Sequence, residues 1–281
     1  MLFARYASLG STNDTAAAWA LRQPGRWLGV AADAQHTGRG RQSRAWSSPR
    51  GGIWLSLVAP LTTPPADRGP LPLVVGLAVR DTIEAIAREH GHRELVAEVK
   101  WPNDVLIRPH AFESDHGKAS GVLCEQVFVH GTTGRPSAIP AVLGVGVNAN
   151  LDAEDLGPNL RVPPATLREA LGVDVPLPAT TRRLAEAIAA AVDRWDRDGL
   201  TVGDVDRLNA ALAFRGETVR LTRSLGLQPG FPENAITVER VDAAGRLCGI
   251  DPRGRALAID TGELTGLFEP RRRPAAVLTP A

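Results

Sequence analysis

Short apolar runs separated by glycine-rich loops fill residues 1–171, and the periodicity of those runs is mostly that of strands. LGVAADA (28–34), GIWLSLVAP (52–60), ELVAEVKW (94–101), GVLCEQVFV (121–129) and AIPAVLGVGVN (138–148) each predict a strand. Over 73–91 the period lengthens, placing Val75, Val79, Ile83 and Ile86 on one helical face. A shorter helix is expected after Ser11, where Ser11-x-x-Asp14 fits a capping box and Pro24-Gly25 supplies a stop. Another is expected near 165–172. Residues 178–212 predict two helices; Leu184, Ile188, Ala191 and Trp195 line up in the first, which ends at Asp198-Gly199. From 214 to 268 the pattern changes again. ETVRLT, NAITVERV, GRLCGID and RALAID are short strands at turn-marked intervals, as in a small β-barrel. The expected organisation is therefore α+β: a mixed α/β domain over 1–212, a small barrel over 213–268 and a loose tail over 269–281. Arg271, Arg272 and Arg273 in that tail read as a solvated end rather than an anion site.

Composition narrows the function classes. With 43% hydrophobic and 22% charged residues over 281 positions, the chain is an ordinary globular one. A net charge of +1 gives no global electrostatic case for nucleic acid or an anionic membrane. No apolar run reaches the roughly 18 residues of a spanning helix, and no secretory pattern opens the chain. Two cysteines do not make a disulfide framework, so a reducing, cytoplasmic setting is expected. Among the 32 basic residues only Lys100 and Lys118 are lysines. Chemistry that requires a primary ammonium has few candidates here.

Four segments carry candidate chemistry. Gly38-Arg39-Gly40-Arg41-Gln42-Ser43-Arg44-Ala45-Trp46 alternates arginines with small residues after a predicted strand, offering planar donor forks to an anion on a flexible backbone. An exposed turn or a nonspecific RNA contact has the same pattern, and no P-loop lysine follows. Lys100-Trp101-Pro102-Asn103-Asp104 gathers an ammonium, an indole, an amide and a carboxylate at a strand end, which reads equally as a turn with a core tryptophan. Lys118 stands just before an apolar strand with Gly121 near its start. Gly144-Val145-Gly146-Val147-Asn148 puts glycines inside a strand, implying either a close neighbour or a bulge.

Taken together, Ser-Thr-Asn (11–13), the arginine loop ending in Trp46, Lys-Trp-Pro-Asn-Asp, Gly-Lys-x-x-Gly-Val-Leu-x-Glu (117–125) and Gly-x-Gly-x-Asn (144–148) resemble the biotin–protein ligase family in order and spacing. The resemblance is close over 8–150 and looser to 268. It implies a catalytic domain like that of class II aminoacyl-tRNA synthetases followed by an SH3-like barrel. It also implies a ligase forming C–N bonds: biotin's carboxylate attacks ATP to give biotinyl-5′-AMP, and a lysine of a biotin carboxyl carrier domain then takes the biotin. ATP, biotin and Mg²⁺ are the implied ligands, with no dedicated protein metal site. The alternatives are a lipoate or octanoate ligase relative and, less in keeping, a biotinyl-AMP-sensing regulator. The latter needs a winged helix-turn-helix for which the segment before residue 11 leaves no room, so no DNA partner is expected. A homodimer through a sheet edge is compatible with the resemblance.

The resemblance assigns Ser11, Thr12, Asn13, Gln35, Gly38, Gly40, Gly121 and Gly144 to biotin, together with Asp104 as acceptor for the ureido N–H. Arg39 and Arg41 belong to the covering loop and, with Lys118, to catalysis. Arg44 is expected on phosphate, Trp46 on the adenine face, and Asn103 and Asn148 on the adenine edge. Lys118 is expected beside the biotin carboxylate and α-phosphate, and Lys100 near the distal phosphates. Three departures stand out. Ser43 replaces a usual glycine, which should stiffen the loop, and Gln42 a residue that is often basic. VLIRPHAFESDHG (105–117) is longer than usual and reads as a surface hairpin or loop, with His110 and His116 solvated in it.

Overall fold

A computed structural model of the chain describes residues 1–23, 25–108, 116–127, 139–157, 160, 162–222 and 235–267. His110, the expected stop at Pro24, the end of the strand expected over 121–129 and the tail with its three arginines lie outside the described residues.

Seven strands form one sheet: β1 (Leu2–Tyr6), β2 (Leu28–Ala32), β3 (Ile53–Leu61), β4 (Val96–Lys100), β5 (Asp104–Arg108), β6 (Gly117–Gln126) and β7 (Ile139–Val147). Their order is β1-β2-β3-β7-β6-β5-β4. β1 and β2 run parallel, and every other neighbouring pair is antiparallel. The strands β3 and β7 are apolar on both sides because both faces of the sheet are covered. α2 (Leu71–Glu89) and α4 (Leu177–Asp198) pack on one face, with Val75, Val79, Ile83, Leu184, Ile188 and Trp195 in the main core. α1 (Thr12–Arg22) packs on the other through Ala16 and Ala20 against Leu28, Val30, Val58 and Val142. Each fully buried aliphatic side chain contributes about 1.5–3 kcal/mol, so the helical spacing over 73–91 fixes which face of α2 meets the sheet. The short α3 (Leu167–Leu171) and α5 (Val202–Ala210) are both capped by threonine: Thr166 accepts from Glu169 N, and Thr201 accepts from Asp204 N.

The second sheet comprises β8 (Thr218–Thr222), β9 (Ala235–Val241), β10 (Leu247–Ile250), β11 (Ala256–Ile259) and β12 (Glu263–Leu267), in the order β11-β10-β9-β8-β12 and antiparallel throughout. Its apolar face shares one core with Leu73, Leu77, Val99 and Trp101 of the first sheet and its helix. The Trp101 indole donates to the Gly245 carbonyl in the β9–β10 turn (3.1 Å). Trp101 thus joins the two sheets.

Three expectations are corrected, and one open alternative is decided. Ser11 begins α1 but makes no side-chain cap; Asp14 is turned outward to Arg39 instead. The segment 105–117 is not a surface insertion throughout, because Val105, Leu106 and Ile107 are the fully buried middle of β5 and β6 begins at Gly117 rather than 121. His116 is not solvated: its ring lies 5.0 Å from that of Phe214, and Nε2 is 3.1 Å from Glu98. The glycines of β7 mark no bulge, since its register against β3 and β6 is unbroken. β1 and β12 were not predicted; each is a short, mixed-polarity edge or near-edge segment whose burial depends on tertiary partners.

Candidate functional site

The predicted motifs converge on one cavity of about 310 Å³ above β6 and β7, covered by the loop between β2 and β3. Its floor is made of glycines for a steric reason. The Trp46 indole lies directly on the backbone, and a Cβ on Gly121 or Gly146 would come within 2.9 or 2.6 Å of it. A Cβ on Gly144 would stand 2.3 Å from Asn13 Oδ1. The close neighbour demanded by glycines inside a strand is therefore a protein side chain, Trp46 or Asn13.

One end of the cavity is polar. Gln35 Oε1 accepts from Thr12 N (2.8 Å) and Thr12 Oγ1 (3.0 Å), while Gln35 Nε2 donates to Ser48 Oγ (2.9 Å). Asn13 Nδ2 donates to Glu125 Oε2 (2.6 Å). The fully buried Ser56 hydroxyl reaches both Thr12 Oγ1 and Asn13 Oδ1. Ser56 is in none of the motifs, and Glu125 closes the 117–125 motif without an assigned role. Ser56 had a signal, as the single polar residue of an otherwise apolar run. The side wall is apolar, with Leu55, Val122, Leu123, Val145 and Leu156 among its residues.

The other end is cationic. Lys118 Nζ lies 2.7 Å from Asp104 Oδ1 and 4.9 Å from the centre of the Trp46 ring. A register slip in the β5–β6 pairing falls between Val105 and Leu106, opposite Ala119, and such bulges re-aim side chains. Lys118 N donates to Pro163 O and its carbonyl accepts from Ala165 N, so its backbone is held on the other side as well. Burial alone would push the Asp104 carboxyl up, but the ammonium groups of Lys118 and Lys100 outweigh it and hold it below its ordinary range.

The arginine loop is closed by its own bonds. Gly40 N donates to Arg44 O, and Trp46 N to Gly38 O. A 3₁₀ turn spans Arg41–Ser43, with Gln42 at φ 57° and Ser43 at φ 58°. Serine thus occupies the left-handed conformation that favours glycine, which gives the Ser43 departure its physical meaning. Arg41 Nη1 donates to Asn103 Oδ1 (3.3 Å) and to Gly262 O (3.1 Å). Arg44 Nη1 pairs with Glu263 Oε1 at 2.7 Å. Burial draws the Arg41 guanidinium below its ordinary value, against the pull of Glu263 and Asp104, yet an arginine remains a cation at neutral pH. Arg39 holds Asp14 with two bonds (2.8 and 2.7 Å), chiefly for which its pKa is raised, and faces Glu125 at 3.6 Å.

Of the predicted site residues, all but two line the cavity. Lys100 is corrected: it is 2% exposed and bonded to Asp104 Oδ2 (3.0 Å), behind the wall rather than open to distal phosphates. Gly38 is likewise buried beneath the loop, where a Cβ would strike Trp46 O and Ser48 Oγ, and it does not line the cavity. Asn148 Nδ2 donates to Lys118 O and Ala165 O, leaving Oδ1 buried without a partner. Trp46 Nε1 is in the same condition. Asn103 Nδ2 is engaged by Val122 O. Cys124 offers no thiolate, since burial pushes its thiol up to about 12. No described helix is long and apolar enough to cross a membrane. A second groove of about 330 Å³ between α2, α4 and α5 holds none of the predicted residues.

The arrangement can hold an elongated molecule with a polar head, an apolar chain and an anionic end, and can set that end against a second anion. The "Bifunctional ligase/repressor BirA" of Bacillus subtilis (strain 168) is 32% identical over 165 residues, covering 58% of this chain and 45% of the relative. That of Escherichia coli (strain K12) is 30% identical over 171 residues, covering 60% and 47%. The chain thus spans about half the length of the curated relatives it matches. In fold it is similar to the biotin protein ligase from Aquifex aeolicus in complex with biotin and ATP, with a TM-score of 0.71 and 23% identity over 94% of this chain and 97% of that one. It is also similar to the Leishmania major biotin protein ligase in complex with biotinyl-5-AMP (TM-score 0.57, 20% identity, 92% and 98% covered). The model of the Biotin/lipoate A/B protein ligase family matches residues 7–148, half of the sequence, and the chain belongs to that family.

Proposed function

We propose that the chain is a biotin–protein ligase. A carboxylate oxygen of biotin attacks the α-phosphorus of ATP, the bond to the β-phosphate breaks, and pyrophosphate leaves. A carrier-domain lysine amine then attacks the carbonyl of biotinyl-5′-AMP; the C–O bond to AMP breaks, and the amine gives up a proton as the amide forms. The observation that carries the reading is the polarity of one cavity: Thr12, Asn13 and Gln35 at one end, an apolar wall, and Lys118, Arg41 and Arg44 at the other. The first end suits a ureido ring. The second gathers the positive charge needed to bring two anions together and to meet charge developing on the phosphate.

In this reading Thr12 and the amide of Asn13 face the biotin head. Asp104, expected as the ureido acceptor, instead stands at the opposite end with its oxygens on Lys100 and Lys118, and Lys118 stabilises the carboxylate and α-phosphate. Arg39 and Arg41 cover the adenylate, Arg44 takes phosphate, Trp46 packs on adenine, and Asn148 Oδ1 accepts from its amino group. The covering loop excludes water from a hydrolysable intermediate. Among the described residues no group of three or more His, Cys, Asp or Glu side chains is arranged to hold a metal ion; Mg²⁺ would arrive on the triphosphate. Residues 1–212 would form the catalytic domain and 213–268 an SH3-like one that supplies Gly262 and Glu263 to the loop.

The test is exchange of labelled pyrophosphate into ATP. Biotin is expected to support it, followed by transfer of labelled biotin to a biotin carboxyl carrier domain. Exchange with lipoate or octanoate and not with biotin would move the chain to the other branch of its family.

A further inference from the structure

Lys100 is among the largest fully buried side chains of the protein, yet it carries a charge. Its ammonium lies 3.0 Å from Asp104 Oδ2, and the other oxygen of the same carboxylate lies 2.7 Å from Lys118 Nζ. Lys100 and Asp104 face each other across the β4–β5 pairing, and Asp104 faces Gly121 across the β5–β6 pairing. The carboxylate is therefore fixed between a cation in the interior and a cation in the cavity wall. A buried ionic cluster is weak evidence for a purely structural role, because replacing such a cluster as a whole by apolar side chains is often neutral or stabilising.

We propose that Lys100 is a positioning residue for adenylation, a role that rests on the ligase reading above. Two ammonium groups share one carboxylate, so the cluster keeps one net positive charge, and that charge faces the cavity at Lys118. Without Lys100, Asp104 and Lys118 form a neutral pair. The carboxylate is then free to turn wholly toward Lys118, drawing its ammonium and its charge away from the reacting carboxylate and phosphate. Lys100 does not reach the cavity, so its removal acts on the chemical step and not on nucleotide binding.

Lys100→Met is expected to lower kcat for biotin-dependent pyrophosphate exchange about tenfold, on the scale of a displaced charged donor, with the KM for ATP within about threefold of the parent. Lys100→Arg, which keeps a cation behind Asp104, should recover part of the loss. Unchanged kcat, or a raised KM for ATP at unchanged kcat, overturns the proposal; the latter is the signature of direct phosphate contact. Should Lys100→Met not fold, Lys100→Gln, which retains a donor to Asp104 without the charge, is measured in the same way. A second readout needs no substrate. With [¹⁵N]lysine the parent gives two Nζ signals, and the variant only that of Lys118. That signal is expected to move and its protons to exchange faster; an unchanged signal overturns the proposal. If the parent chain supports exchange with neither biotin nor lipoate, the ligase reading fails, and the Lys118 signal still decides whether Lys100 positions it.

Discussion

The indole of Trp46 rests on the bare backbone of Gly146, so close that a Cβ there would stand 2.6 Å from Nε1. Gly146→Ala therefore cannot leave the ring in place. Because β7 is held in unbroken register on both sides, the ring must give way and not the strand. The expected result is a KM for ATP raised about tenfold with the affinity for biotin within about threefold, as for loss of one stacking surface. Steady-state kinetics beside calorimetry with biotin alone check it; an equal loss for both ligands would place Trp46 elsewhere.

Trp46→Ala removes the ring without strain in the sheet. Base–aromatic stacking is worth about 1–3 kcal/mol, so ATP affinity should fall by about 5- to 150-fold while biotin binding changes little. Titration with each ligand alone and with both together separates the two. Agreement between this variant and Gly146→Ala would tie the floor glycine to the ring and not to the substrate directly.

How far the sequence disclosed this site depends on how locally each feature is determined. The arginine loop, Lys118 and the Asn148 strand end stood out as candidate segments because glycines and charges at fixed offsets carry local meaning, and their roles came from the resemblance. Ser56 and Glu125 reach the site only because β3, β6 and α1 meet in three dimensions. Glu263 comes from β12, more than 200 residues from its partner Arg44 along the chain. Lys100 was placed in the right motif but on the wrong side of the wall. Hairpin geometry decides which face of β4 it takes, and a five-residue motif does not show that. β5 was hidden because VLIR is too short to announce itself beside a long polar stretch, although its three apolar residues are fully buried.

Lys118→Arg should reduce adenylation about 100-fold, the scale for removing one pre-organised donor to a developing charge. The ammonium fits between Asp104 Oδ1 at 2.7 Å and the Trp46 ring centre at 4.9 Å, a space for a compact cation and not a planar fork. Single-turnover formation of biotinyl-AMP measures it. Turnover unchanged by the substitution would remove Lys118 from the chemistry.

Asp104 gives the protein an acid-sensitive centre whose sign follows from its environment. Its carboxyl is held below the ordinary range in the fold. The stabilisation from its ionised form is therefore complete at neutral pH and is lost as pH falls below about 4, the range of an unperturbed aspartate. Asp104→Asn leaves Lys100 buried without a counter-charge and should cost about 3–5 kcal/mol at pH 7. Thermal unfolding followed from pH 7 to pH 3 should show the gap between parent and variant narrowing at the acid end. A constant gap would mean the two ammonium groups do not hold this carboxylate.

The scarcity of lysine has a chemical consequence for an enzyme that makes a lysine-reactive adenylate. Of the two lysines, Lys100 is 2% exposed and bonded to Asp104, and Lys118 is held by the same carboxylate. Acylation needs an amine that can reach the adenylate carbonyl with a free lone pair, and the Lys100 amine is buried behind the cavity wall while both nitrogens are held against Asp104. Arginine, at every other basic side chain, does not deprotonate in this range. Incubation with biotin and ATP in the absence of carrier should therefore leave the side chains essentially unlabelled by intact-mass analysis, even after many turnovers of adenylate formation and hydrolysis. Label found on Lys118 would show that its amine is released from Asp104 during the cycle, and would contradict a role for it as a fixed positive charge.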